Sequence, residues 1–378
     1  MSQTTAPQAQ DTTHQIDESQ PLVRVSDLAV SFDNGSGPRI QAVDGVRMSV
    51  YPRQTLAVVG ESGCGKSVTA LSMLQLIPRP PGRFDRGEVH FRSHAGDVDL
   101  LTLDGTRIRE IRGNEIAMIF QEPMTSLNPV FTIGNQIVEA IRLHQKVDGK
   151  KAAEIAIQSM DAVGIPEPAK RLKAYPHQFS GGMRQRVMIA MALACEPMLL
   201  LADEPTTALD VTIQAQILEL LASLKQERGL AIMLITHDLG VVAENADVVC
   251  VMYAGRVVEY ASVFDLFDKP MHPYTRGLLA SIPKIDEHLD RLVTIKEVVD
   301  NPSEFEQLPS AGDGVRPWWP WHDPPKDLVA LDEPGGDYCL QELEPGHWVG
   351  LWRTEAISGQ EIKAPDLDFR VVSASRSL

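Results

Sequence analysis

The chain has 378 residues, 43% of them hydrophobic and 23% charged, and carries a formal net charge of -16. That length suits one large folded domain and a smaller companion. The surplus of carboxylates excludes a general nucleic-acid binder, whose affinity rests on Lys and Arg, and excludes unaided adhesion to an anionic membrane. The four cysteines, Cys64, Cys195, Cys250 and Cys339, form no CxxC pair, so they read as free thiols of a reducing compartment. No basic-then-apolar segment opens the chain as a secretory signal would. The longest apolar runs fall far short of the ~20 residues of a membrane helix. Work at a membrane would therefore need another subunit to hold this one there.

Residues 1–20 are rich in Gln, Thr, Ser and Asp and read as a disordered tail. Residues 22–26 and 28–32 read as strands, and 34–38 as a turn. Residues 55–59 form a short apolar run, expected as a buried strand, followed by a helix over 67–76. Residues 88–91 are a further strand. From about 121 to 185 the pattern is helical, interrupted at Pro123, Pro129, Pro166 and Pro176. Residues 198–202 and 231–235 are apolar throughout, as strands inside a parallel sheet are. Between them Ile217, Leu220, Leu221 and Leu224 mark one face of a helix. Residues 248–252 and 256–260 read as a hairpin across Ala254 and Gly255. After about 270 the composition changes: all five tryptophans lie there and prolines are frequent, so this part reads as a separate extension.

Residues 60–67, GESGCGKS, fit GxxxxGK[ST] between a strand and a helix, the context the motif requires. The glycines Gly60, Gly63 and Gly65 let the backbone of Glu61, Ser62 and Cys64 curl so that successive N–H groups face one concavity. The helix start adds partial positive charge. Lys66 supplies a cation for the β and γ phosphates of ATP, and the Ser67 hydroxyl suits Mg²⁺. Asp203, at the end of a buried strand, suits the same ion, and Glu204 follows where a general base could polarise water. An Asp-Glu pair after a strand is often only a solvated strand end; the phosphate loop gives it its meaning.

Residues 179–186, FSGGMRQR, resemble the signature motif of ATP-binding cassette (ABC) ATPases, with Met183 where many members carry Gln. The resemblance covers about residues 21–285. It implies an α/β fold: a P-loop NTPase cassette with a RecA-like core, an antiparallel β subdomain and a helical subdomain at about 122–186. The ATPase domain would span 21–270 and the extension 271–378. It implies that Ser180, Gly181 and Gly182 close over ATP held by a partner subunit. It places Phe32 on the adenine, although a plain core or edge aromatic fits the residue too. Gln121 matches the glutamine that reaches Mg²⁺ and water and senses the membrane subunit. Ala208, Leu209 and Asp210 match the loop that contacts the partner ATPase. His237 matches the histidine at the γ-phosphate; by itself it would read as a capping residue. Glu204, His237, Lys66 and Gln121 are thus the expected catalytic set, and Ser67, Gln121 and Asp203 the expected Mg²⁺ set.

Residues 121–129 (QEPMTSLNP) and 272–279 (HPYTRGLL) resemble the ATPases of oligopeptide and dipeptide importers. Such an ATPase would hydrolyse ATP at the cytoplasmic face of a bacterial plasma membrane. It would pair with a second ABC ATPase, identical or homologous, beneath two permeases served by an extracytoplasmic solute-binding protein. Di- or oligopeptides are the expected cargo, with oligosaccharides or another small solute as the alternative. A soluble ABC protein of translation or DNA maintenance fits less well, since the chain holds one cassette and no coiled-coil insertion. Members of this group commonly carry a cysteine cluster near the C-terminus. Here Cys339 stands alone, and Leu351 replaces the cysteine expected after residues 346–349, so no iron–sulfur cluster is expected. The tryptophans at 318, 319 and 321 read as packing or a subunit interface.

Overall fold

The computed structural model describes residues 17–35, 37–121, 126–206, 209–282, 294–306, 308, 314–331, 335–357, 359–360 and 363–370. The tail expected at 1–20 therefore lies outside the described residues except for a turn at 17–20.

Among the described residues the strands are β1 (Val23–Phe32), β2 (Ile40–Val50), β3 (Thr55–Val59), β4 (Gly82–Ser93), β5 (Gly96–Asp99), β6 (Ile116–Ile119), β7 (Leu199–Asp203), β8 (Ala231–Ile235), β9 (Val248–Tyr253), β10 (Arg256–Ser262), β11 (Tyr338–Glu344) and β12 (His347–Trp352). They build two sheets. One is antiparallel, in the order β2-β1-β4-β5; the other has eight strands, in the order β11-β12-β10-β9-β3-β8-β7-β6. In the large sheet β9, β3, β8, β7 and β6 run parallel, and β10, β12 and β11 continue it antiparallel.

The helices are α1 (Lys66–Met73), α2 (Arg107–Ile111), α3 (Ile133–His144), α4 (Gly149–Ala162), α5 (Pro168–Arg171), α6 (Gly181–Leu193), α7 (Val211–Arg228), α8 (Leu239–Asn245), α9 (Val263–Asp268), α10 (Pro273–Ala280) and α11 (Ile295–Val299). Thr132, Asp148 and Ser180 cap α3, α4 and α6 through side-chain oxygens, so these three segments of the helical stretch start at a residue built for it. Pro166 and Pro176 fall between segments, where the missing N–H does no harm.

Strand periodicity divides the core. Leu199 and Leu201 of β7 face one cluster, shared with the antiparallel sheet and α1. Leu200 and Ala202 face the other, shared with α3, α4, α6 and α7. The sheet is therefore buried on both faces, which is why β3, β7 and β8 read as continuous apolar runs.

Two readings change. The strands expected at 22–26 and 28–32 are one strand, interrupted by a bulge. Asp27 has φ 55°, and both partner registers shift there. Opposite it, Gly87 sits so close that a Cβ would lie 2.5 Å from the Asp27 carbonyl. The segment after 270 was expected to stand apart. Instead the β11–β12 hairpin pairs with β10, Glu259 opposite Val349, and extends the large sheet by two strands.

Candidate functional site

The site lies at the carboxyl ends of four adjacent parallel strands, β3, β8, β7 and β6, where open α/β sheets gather their ligand groups. From β3 the chain enters the phosphate loop. Gly60, Gly63 and Gly65 have φ 147°, 84° and 104°, conformations an L side chain resists. Packing adds a second constraint: a Cβ on Gly60 would lie 2.2 Å from the Met252 carbonyl, and one on Gly65 2.5 Å from that of Ala42. Helix α1 then starts with Gly65 at its N-cap, a residue with no side chain to bond the first N–H groups. Those donors remain for an anion. Lys66 is buried, its ammonium donating to the Gly60 carbonyl at 2.8 Å and the Glu61 carbonyl at 2.9 Å, so the cation sits over the loop. Glu61, Ser62 and Gly63 are exposed, and Cys64 is buried behind them, its thiol pushed up mainly by burial.

β7 delivers Asp203 and Glu204. Asp203 is only 6% exposed, and its Oδ1 has no hydrogen-bond partner among the described residues. Burial pushes its carboxyl above the ordinary value, and the Glu204 charge adds to that; the Ser67 hydroxyl and Lys66 oppose it. A buried carboxylate oxygen with nothing to accept from, beside a serine hydroxyl, suits a hard divalent cation, so Ser67 and Asp203 fit Mg²⁺. Glu204 follows with φ 45°, a strained value for a residue with a side chain, and its N–H is tied to the Ile235 carbonyl at 2.9 Å. That turn aims the carboxylate across the strand ends. Gln121, just beyond β6, donates its Nε2–H to Glu204 Oε2 at 3.0 Å. His237, just beyond β8, lies with Nδ1 3.3 Å from Glu204 Oε1 while its ring stays 66% exposed. Gln121 and His237, far apart in sequence, thus meet on the Glu204 carboxylate.

The remaining expected residues are placed elsewhere. Ser180 caps α6, its Oγ accepting from the Met183 N–H at 3.3 Å. Gly181 faces open space, and a Cβ on Gly182 would lie 2.9 Å from Ile213. No hydrogen bond links these three to the phosphate loop among the described residues. Gln185, one turn further on, donates to the Pro205 carbonyl and so ties α6 to the segment after Glu204. Asp210 caps α7, accepting from Ile213 at 3.0 Å. Ala208 and residues 122–125 lie outside the described residues. Phe32 ends β1, partly buried, with a ring carbon 3.1 Å from where a Gly82 Cβ would stand.

Sequence reasoning missed one contact. Tyr274, at the start of α10, accepts the Glu61 N–H at 3.1 Å. The tyrosine lies in the HPYTRGLL segment, but nothing in local spacing links it to a loop 213 residues upstream.

A family model described as "ABC transporter" matches residues 43–207, and one described as "Oligopeptide/dipeptide transporter, C-terminal region" matches 258–312. The oligopeptide transport ATP-binding protein OppD of Bacillus subtilis is 54% identical over 265 residues, 70% of this chain and 73% of its own. The dipeptide transport ATP-binding protein DppD of the same organism is 52% identical, again over 265 residues, covering 70% and 78%. Among solved structures, the ATP-binding cassette MJ0796, a dimer bound to ADP and Pi, superposes with a TM-score of 0.57. It is 26% identical and covers 64% of this chain and 98% of its own.

Proposed function

The chain belongs to the ABC transporter ATPases, in their oligopeptide/dipeptide branch, and from that premise we propose that it is the ATP-hydrolysing subunit of an importer of di- and oligopeptides. The observation that carries the hydrolytic reading is the convergence of Gln121 and His237 on the Glu204 carboxylate, beside the phosphate loop. ATP phosphates compete with the Gly60 and Glu61 carbonyls for the Lys66 ammonium and accept from the open N–H groups of α1. Glu204 takes a proton from the attacking water. Gln121 orients that water, and His237 with Lys66 meets the charge that develops on the transferring phosphoryl group. Ser67 and Asp203, with Gln121, would hold Mg²⁺, which when bound neutralises phosphate charge.

Ser180, Gly181 and Gly182 serve the ATP of a second ABC subunit, identical or homologous. What supports this is their separation from the phosphate loop of their own chain and the dimeric state of the MJ0796 cassette. A Gly181→Asp chain folds, since a Cβ there meets nothing within 4 Å. It should bind ATP normally alone yet fail to hydrolyse it in the assembled complex. Undiminished hydrolysis would refute the shared site.

Among the described residues no helix is long and apolar enough to cross a membrane. The subunit would sit on the cytoplasmic face of the plasma membrane, under two permeases fed by a solute-binding protein. A groove of about 520 Å³ beside Gln121, lined by Met118, Phe120, His144, Met188 and Met191, offers apolar surface to a permease loop. A charge on its exposed residue Phe120, as in Phe120→Glu, should leave ATP binding intact and abolish coupled uptake; normal uptake would remove the groove from the coupling path. The overall reading is tested in proteoliposomes holding the complex and its binding protein. ATP-dependent uptake of labelled peptides supports it, and uptake of oligosaccharides with no response to peptides overturns the cargo.

A further inference from the structure

The C-terminal extension reaches the phosphate loop from behind. Tyr274 is fully buried, and its hydroxyl accepts the Glu61 N–H at 3.1 Å. A second hold lies nearby: the Gly255 N–H, from the β9–β10 turn, donates to the Cys64 carbonyl at 3.1 Å. The Tyr274 backbone is itself fixed. Its N–H donates to His272 Nδ1 at 3.1 Å, which leaves Nε2–H of the neutral imidazole to donate to the Trp318 carbonyl at 2.9 Å. The ring belongs to an aromatic stack. Trp319 lies on Tyr253 with centroids 4.2 Å apart at 25°, and Tyr274 packs against both, 4.8 Å from Tyr253 and 5.7 Å from Trp319. Phe305 closes the stack at 5.5 Å from Trp319.

We infer that Tyr274 is a positioning residue for the ATP site, setting the Glu61 amide and the curvature of the loop, and that it couples nucleotide binding to the tryptophan-rich extension. This rests on the reading of residues 60–67 as the phosphate site. Glu61 is the second residue of the loop, so fixing its peptide plane fixes the entry of the turn. Because the stack is close-packed, a movement of that peptide is felt at Trp319.

The coupling can be seen directly. All five tryptophans lie in the extension, at 318, 319, 321, 348 and 352, so emission excited selectively from tryptophan reports on that part alone. In the purified full chain, Mg-ATP should change the emission saturably. Tyr274→Phe removes one hydroxyl and keeps the ring. It should weaken ATP binding, measured with radiolabelled nucleotide, by about fivefold, the loss expected for one hydrogen bond. It should abolish the emission change even at saturating ATP and leave the unfolding midpoint without nucleotide unchanged. In the assembled complex the KM for ATP should rise while kcat holds. Unchanged affinity and emission would overturn the inference. So would a fall in affinity accompanied by a matching fall in the nucleotide-free midpoint, the mark of a purely structural role. Lys66→Ala keeps the two failures apart. If it binds ATP as well as the wild type does, the phosphate-site reading has failed; if it does not, while Tyr274→Phe matches the wild type, the positioning role alone has.

Discussion

Two buried carboxylates at opposite sides of the large sheet are treated in opposite ways. Glu259, on β10, is 0% exposed and fully partnered: it lies 2.7 Å from His347 Nε2 and accepts the N–H groups of Met271 at 2.7 Å and His272 at 2.9 Å. Asp203, on β7, is 6% exposed and leaves Oδ1 with no partner among the described residues. Its neighbour Glu204 is held at φ 45°. Unsatisfied and strained groups cost stability and persist where a ligand or a reaction uses them. Satisfied networks of buried polar groups lock one arrangement in place. The parallel side of the sheet is thus built to act on a ligand, and the antiparallel side to hold the extension, and with it Tyr274, in register.

The contrast is broken most directly at Glu204. Glu204→Gln keeps the shape and removes the base. Turnover should fall by about 10² to 10⁴-fold, the usual contribution of a general base, while ATP binding persists. Turnover within a few fold of the wild type would return Glu204 to an ordinary strand end. The opposite pattern is expected at Glu259. Glu259→Ala strips His347 and two buried N–H groups of their acceptor. That should cost about 3 kcal/mol or more of stability and loosen the extension, read as a red shift of tryptophan emission, with the chemistry at Glu204 untouched. A variant as stable as the wild type would show that the network holds nothing.

The same side predicts acid sensitivity. Burial lowers His272 to about 4, against the Glu259 charge and the Trp318 carbonyl, which favour the cation, while Arg276 disfavours it. The folded value lies below the unfolded one, so the unfolded chain gains a proton first as pH falls through 6.5. Stability from this group is complete above 6.5 and is lost progressively toward 4. The unfolding midpoint of the wild type should therefore drop across that window faster than that of His272→Gln. Parallel curves would remove His272 as the cause.

How much of this was legible in the sequence follows from the range of the forces involved. The phosphate loop, the strand ending at Asp203 and the cap at Ser180 are local patterns, so they are found where the residues put them. The meeting of Gln121, Glu204 and His237 is not local. It was expected only through a family resemblance, and it depends on β6, β7 and β8 lying side by side. The extension was misjudged because its composition differs from that of the core. Tryptophan and proline content says nothing about which strand edge a hairpin will join. Here β12 pairs with β10, and Glu259 meets His347 diagonally, two positions along the register. The bulge at Asp27 escaped for a similar reason, since the close approach of Gly87 comes from a strand some sixty residues downstream.

The smallest effect sharpens the contrast most. If Asp203 is kept buried and partly unsatisfied for the sake of a cation, then the nucleotide-free chain should gain by losing the charge. Asp203→Asn has nearly the same shape, can still accept from the Ser67 hydroxyl, and no longer opposes burial. Its unfolding midpoint without nucleotide should rise by about a degree, on the order of 1 kcal/mol, whereas the stabilisation that Mg-ATP gives the wild type should largely vanish. The equivalent neutral change at the satisfied site, Glu259→Gln, should lower the midpoint, because an amide cannot accept from three donors as a carboxylate does. Opposite signs from two isosteric changes in one sheet are the outcome that the contrast requires. If Asp203→Asn destabilises the nucleotide-free chain as Glu259→Gln does, then Asp203 is a structural carboxylate and the orphaned oxygen has no functional meaning.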